Sequence, residues 1–268
     1  MNVLQSGYPK SGNYWLFCII ELSMAEAGIR PCSFIMGQPI YQVARHWELS
    51  FPGQAGIDMI NCDFVNYYYE IAPMYKRRIV DVEAYVAACS HVWTHAGWMP
   101  KLMPKLYWLF DKVVHIIRDP RDAFLSRIDQ TRTPFYAREF GPAPGIRDKL
   151  SVHCIAWASH TKRWLDSDAH VVEFENLVTE FDAEYGRLLK YLGLDLSTEA
   201  RARVAEAVSL QAMKMTGGHH INKGRAWRWP TEMSAEDNAR VVDQRVGIGA
   251  MLTAVGYPLT VNAKEKGR

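Results

Sequence analysis

Apolar and polar positions along the chain alternate between short strand-like runs and longer helical ones. The first run, Asn2-Val3-Leu4-Gln5-Ser6, predicts a strand. A small-residue turn follows, and then a helix over 14–28, where Leu16, Ile19, Ile20, Ser23 and Ala27 recur at helical spacing and Gly28 marks the stop. Residues 81–88 predict a short helix, and Ser90-His91-Val92-Trp93-Thr94-His95 a strand that ends at Ala96-Gly97. An amphipathic helix over 101–110 precedes a continuous apolar run at 112–117, typical of a parallel strand covered on both faces. Asp119 reads as the N-cap of the next helix and Pro120 as its first residue. Then come a long helix over 146–165 with Ile155, Trp157, Ala158 and Trp164 on its apolar side, a strand over 170–174 and a helix reaching 192–193. Two further helices over 199–213 and 236–254 lead to a frayed tail at 262–268.

Three stretches lack such a period. Residues 30–78 are broken by Pro31, Pro39, Pro52 and Pro73, yet carry Trp47, Phe51, Phe64, Tyr67, Tyr68, Tyr69 and Tyr75. Aromatics usually pack in a core, but in an irregular stretch they also make a candidate cover for a substrate. Residues 132–145, with Pro134, Pro142 and Pro144, and the glycine-rich polar run 216–230 read as loops. There is no internal repeat. Alternating strands and helices predict an α/β fold, a central mostly parallel sheet flanked by helices, in one domain spanning 1–268.

Composition narrows the function. The net charge is only +2, so nothing pulls the chain in bulk toward nucleic acid or a membrane surface, and any anion site must be local. Five scattered cysteines, Cys18, Cys32, Cys62, Cys89 and Cys154, without CxxC spacing, predict free thiols in a reducing compartment. A polar turn stands where a signal peptide would need its apolar core, and no charge-free apolar run reaches membrane-spanning length. The expected location is the cytoplasm.

The local chemistry points to phosphate. Gly7-Tyr8-Pro9-Lys10-Ser11-Gly12-Asn13-Tyr14-Trp15 lies between a strand and a helix, where unpaired N–H groups and the helix dipole attract anions. It is not a GxxxxGK[ST] loop, because Lys10 precedes the glycine. An ordinary βα turn is the plainer reading. Arg118 closes a buried strand, and Ser126 follows about two turns into the next helix. Arg118 is suited to phosphate, although an ion pair with Asp122 across the turn serves as well. His95 ends a strand at the edge where ligands of open α/β sheets bind, though a single histidine is by default structural. His91 and His95 do not read as metal ligands, since the HExxH glutamate is missing.

In combination these segments resemble the cytosolic-type sulfotransferases, which use 3′-phosphoadenosine 5′-phosphosulfate (PAPS). Tyr8-Pro9-Lys10-Ser11-Gly12-Asn13-Tyr14-Trp15 is similar to that family's 5′-phosphosulfate loop, YPKSGTTW. Arg118-Asp119-Pro120-Arg121-Asp122 through Ser126 resembles its RNPxDxxxS 3′-phosphate site, Trp93-Thr94-His95 its KTH, and Asn222-Lys223-Gly224-Arg225 its late RKG loop. The resemblance spans residues 8–229 in family order. It implies a P-loop-like sulfotransferase architecture and transfer of a sulfuryl group from PAPS to a hydroxyl or amine of a small-molecule acceptor, releasing PAP without a metal. By resemblance, His95 is the general base and Lys10 steadies the transferring group. The backbone of Ser11, Gly12, Asn13 and Tyr14 surrounds the 5′-phosphate, Trp15 stacks on adenine, and Phe174 stands where an adenine-side tyrosine occurs. Arg118 and Ser126 take the 3′-phosphate, with Lys223, Gly224 and Arg225 closing on it.

Three departures matter. Asn13 and Tyr14 replace paired threonines, the Asn13 amide offering a substitute contact to the phosphate; Trp93 replaces a lysine; Asn222 replaces an arginine that Arg225 compensates. A non-catalytic PAP-binding relative and a P-loop kinase are the alternatives, the second lacking GK[ST]. The acceptor is expected to be apolar or aromatic, selected by residues 37–75, 131–145 and those after Gly217. Partners such as nucleic acid or a membrane span are not expected, and the oligomeric state, a homodimer included, stays open.

Overall fold

The computed structural model of the chain describes residues 1–260 except 73, 98–100, 134–135, 139–144, 217–222 and 244–246. Asn222, the tail 262–268 and the prolines at 73, 134, 142 and 144, all singled out in the sequence, lie outside the described residues.

The strands are β1 (Val3–Gly7), β2 (Met59–Cys62), β3 (Tyr67–Ile71), β4 (Tyr75–Ile79), β5 (His91–Thr94), β6 (Lys112–Ile117) and β7 (His170–Glu173). They form one sheet in the order β4-β3-β2-β5-β1-β6-β7. The five strands from β2 to β7 pair in parallel, and β3 and β4 add an antiparallel hairpin at one edge. The mostly parallel α/β sheet expected from the sequence is thus present.

The helices are α1 (Asn13–Glu26), α2 (Pro39–Ala44), α3 (Val82–Ala87), α4 (Met103–Tyr107), α5 (Pro120–Thr131), α6 (Leu150–Leu165), α7 (Phe174–Thr179), α8 (Phe181–Leu192), α9 (Thr198–Ala207), α10 (Leu210–Thr216), α11 (Trp229–Glu232), α12 (Ala235–Val242) and α13 (Ile248–Ala254). They cover both faces of the sheet, which explains why the parallel strands are apolar without alternation. Val3 packs with Leu16, Ile20 and Leu188 on one face, whereas its neighbour Leu4 packs with Val92, Met103 and Trp164 on the other.

The irregular reading of 30–78 needs correction. Tyr67, Tyr69 and Ile71 are buried while Tyr68 and Glu70 are more open, which is the period of a half-buried strand. Their partner β4 carries Lys76, Arg77 and Arg78 on the sheet edge, where charge discourages pairing with another chain. Several predicted helices are also interrupted. The 146–165 helix begins with a 3₁₀ turn at Ile146–Lys149, and Ile155 is 42% exposed rather than on the apolar side. The helix leading to Leu192 is two, α7 and α8, the 199–213 helix breaks after Ala207, and the final one is α12 and α13.

Candidate active site

Three adjacent parallel strands build the site. β5, β1 and β6 lie side by side, and the residues just beyond their carboxyl ends are His95, the Tyr8–Lys10 turn and Arg118. They open on a cavity of about 260 Å³ whose wall includes Lys10, His95, Arg118, Ser126 and Gly224.

The turn after β1 is held in an unusual shape. Gly12, the N-cap of α1, has φ 95°, and Lys10, which is not a glycine, has φ 74°. The left-handed region costs a side-chain-bearing residue energy, so surrounding contacts must hold Lys10 there. Ser11 N–H bonds the Tyr8 carbonyl at 3.1 Å, and the Asn13 amide donates to the same carbonyl at 2.9 Å. Gln5, buried in β1, donates to the Asn13 carbonyl at 2.7 Å. One N–H of the Asn13 amide is therefore used in closing the turn, while Asn13 also lines the cavity. At Gly12 a Cβ would lie 2.5 Å from Phe174 Cδ2, so only glycine leaves the first turn of α1 open to the cavity. That turn presents its N–H groups there, at the positive end of the helix dipole.

The charge around the cavity is positive and only partly compensated. Burial first, then Arg118 and Arg127, lowers the Lys10 ammonium to about 8, with Asp129 opposing. No ion pair to Lys10 exists among the described residues. Arg118 is also held down, by burial first, with Asp122 and Glu175 opposing. Its guanidinium donates to the Lys10 carbonyl at 3.1 Å and to the Arg225 carbonyl at 2.9 Å, and lies 4.1 Å over the Phe174 ring. Its buried Nε has no partner. The expected Arg118–Asp122 pair is long, 4.0 Å, because Asp122 accepts from the N–H groups of Arg228 and Trp229 instead. In this way Arg118 joins the turn after β1 to the late loop, and Asp122 fixes where that loop enters α11.

His95 has a defined tautomer. Its Nδ1 lies 2.8 Å from the Gly7 carbonyl, which can only accept, so Nδ1 carries the proton and Nε2 keeps its lone pair. Burial first, then Lys10, pushes its pKa below the ordinary histidine value, so the ring is neutral at pH 7. Trp93 meets its ring edge-on at 5.2 Å. His91, by contrast, pairs with Glu21 at 2.9 Å and stacks on Phe17, a structural role.

The rest of the wall has two parts. Trp15, Phe174, Val208, Leu210 and Met213 flank the side of α1, and the Trp15 indole donates to the Val208 carbonyl at 2.8 Å. The break after α9 frees that carbonyl from helical pairing. Tyr14, Phe51, Gln54, Ile57, Met59 and Trp93 form the other part. Phe51 and Tyr14 pack at 4.0 Å. Of the aromatic run noted in the sequence, Phe51 alone reaches this cavity; Tyr67 and Tyr69 belong to the core and Phe64 is 80% exposed.

Not every anticipated residue converges. Ser11, Lys223 and Arg225 are outside the wall. Ser11 is fully buried, Lys223 pairs with Glu232 at 3.0 Å, and Arg225 contributes its carbonyl to Arg118. The sequence reading also missed Gln130, although it stands four residues after Ser126 and thus on the same face of α5. The cavity matches a polyanion at one end: an unpaired ammonium, an orphaned guanidinium nitrogen and an open helix N-terminus. No group of metal-ligating side chains occurs among the described residues, and none of their helices is long and apolar enough to cross a membrane.

Comparisons with known proteins agree with this geometry. Sulfotransferase 1 family member D1 of Mus musculus is 23% identical over 227 residues, covering 80% of this chain and 66% of its own. Sulfotransferase 2B1 of Homo sapiens is 24% identical over 214 residues, covering 77% of this chain and 50% of its own. The chain thus spans half to just under two thirds of the length of these relatives. Among solved structures, mouse sulfotransferase SULT7A1 complexed with PAP has a TM-score of 0.57 at 14% identity, covering 94% of this chain and 83% of its own. Retinol dehydratase in complex with androsterone and inactive cofactor PAP also gives 0.57, at 16% identity over 94% of this chain and 80% of its own. These likenesses show the fold. A family model described as the sulfotransferase domain matches residues 2–243, and the chain belongs to that family.

Proposed function

We propose that the protein transfers a sulfuryl group from PAPS to a hydroxyl or amine of a small acceptor with an apolar or ring-bearing body. The observation that carries this reading is the convergence of Lys10, His95 and Arg118 from the ends of three neighbouring strands on one cavity, with Ser126 opposite. Sulfuryl transfer resembles phosphoryl transfer, for which positioning and charge neutralisation do most of the work. PAPS supplies the activated sulfuryl group.

In this reading His95 removes the acceptor's proton through Nε2, while the Gly7 carbonyl holds the ring in orientation. Lys10 neutralises charge on the transferring group, and its lowered pKa reflects the energy that an arriving anion relieves. Arg118 and Ser126 bind the 3′-phosphate, with Gly224 at the edge. The first-turn N–H groups of α1 receive the 5′-phosphate. Trp15 and Phe174 flank the adenine. A contribution from Lys223 requires its ion pair with Glu232 to open. The acceptor lies among Tyr14, Phe51, Ile57 and Trp93, a wall without a formal charge, which favours a neutral acceptor. A cytoplasmic location accords with the five free thiols.

The test is ligand-dependent stability. PAP at about 100 times its dissociation constant contributes about 2.7 kcal/mol and raises the melting temperature. A shift with ATP–Mg²⁺ and none with PAP would count against the proposal.

A further inference from the structure

Helix α5 has a second side that the proposed transfer does not use. Ser126 and Gln130 face the first cavity, whereas Phe124 and Arg127 face a second one of about 250 Å³. The turn after β1 is divided in the same way: Pro9 and Lys10 line the first cavity and Tyr8 the second.

The second cavity has an aromatic floor and a cationic rim. Tyr8 meets His153 edge-on at 5.1 Å, and Phe124 packs on the same imidazole at 5.2 Å. Ile146, Val152 and Ala156 complete an apolar side. Val152, 66% exposed, lies at the opening. Arg127 and Lys149 stand at the rim, both exposed and neither in an ion pair, and no carboxylate lines the wall among the described residues. His153 is 6% exposed, and its Nε2 has no hydrogen-bond partner. The Arg127 charge acts on Tyr8 and His153 in this cavity and reaches Lys10 in the first, where Asp129 opposes it.

We propose that this cavity is a second binding site, for a small organic anion: one acidic head held by Arg127 and Lys149, and one or two flat apolar rings over Tyr8 and Phe124. A bare inorganic anion would leave the apolar floor unused, and a neutral ring would leave two cations unmatched. A sulfate ester and a carboxylate share this chemistry. The first is the product class of the proposed transfer, and to that extent only the site rests on that reading.

Isothermal titration into the full chain saturated with PAP tests the site, with naphthyl sulfate, naphthoate and neutral methoxynaphthalene as probes. The expected result is binding of at least one anion about tenfold tighter than the neutral ring, the size of one charge-assisted contact. The pair Arg127→Gln and Lys149→Gln should remove that advantage, and Val152→Trp, which fills the cavity, should weaken all three probes. Both sets of changes are at exposed positions, and an unchanged melting temperature certifies folding. Preference for naphthyl sulfate would assign the site to the product class, and preference for naphthoate to a separate carboxylate. Equal anion binding by the wild type and the double variant, or binding of neither anion, would overturn the proposal whether or not the protein transfers sulfuryl groups.

Discussion

The two ends of the first cavity are built on opposite principles. At the end lined by Lys10, Arg118 and Ser126, charge is concentrated and the backbone is constrained: a lysine at positive φ, a glycine where a Cβ would collide, and an arginine bonded to two loops. At the end lined by Tyr14, Phe51, Ile57 and Trp93, packing dominates and formal charge is absent. A site that neutralises a fixed co-substrate needs positioned charges, whereas one that accepts an apolar body needs shape. His95 stands between them, with Lys10 acting on its charge and Trp93 against its edge.

Breaking the comparison at its centre gives the largest effect. His95→Ala should lower transfer by about 10²–10⁴-fold, the range for a general base, while PAP affinity changes little. Kinetics beside PAP titration measures the split; equal losses in both would make His95 structural. The wild-type rate should rise with pH through the lowered His95 pKa, placing the acidic limb below the ordinary value of about 6.5.

Lys10→Ala comes next, with a loss of about 10²–10³-fold in rate, comparable to removing an electrostatic donor, and weakened PAP binding as well. The Lys10 charge is present below about pH 8 and lost above it, so PAP affinity of the free protein should decline as pH rises through that value. An affinity flat between pH 7 and 9 would remove Lys10 from the anion end.

Phe51→Leu probes the apolar end with the smallest expected effect. It keeps an apolar side chain but loses the ring that packs on Tyr14, and should raise the acceptor KM by about threefold to tenfold without moving PAP affinity. A change in PAP affinity instead would mean that the two ends are not separate.

These ends were unequally legible in the sequence. The charged end follows from local rules: a strand, a turn rich in small residues, a proline-started helix and an apolar run closed by Arg118. The expected Lys10, Arg118 and His95 accordingly reach one cavity. The apolar end depends on which of many aromatics turns inward. Tyr67, Tyr69 and Phe51 are chemically alike in sequence, and only the sheet edge formed by β3 and β4 sends two of them to the core. The role of Asn13 was hidden for a similar reason, since a bond from its amide to Tyr8 across the turn has no signature in spacing. Lys223 looked equivalent to Lys10 as a cation in a glycine-containing loop, but Glu232 competes for it.

The most direct measurement is turnover itself. The protein is incubated with PAPS and a panel of neutral phenols, alcohols and amines in the presence of a chelator, and PAP release is followed with the mass of the acceptor. The account predicts PAP formed in step with a sulfated acceptor of apolar body, and loss of that signal in His95→Ala. PAP binding without release for any acceptor, or release that is the same in His95→Ala, would contradict it.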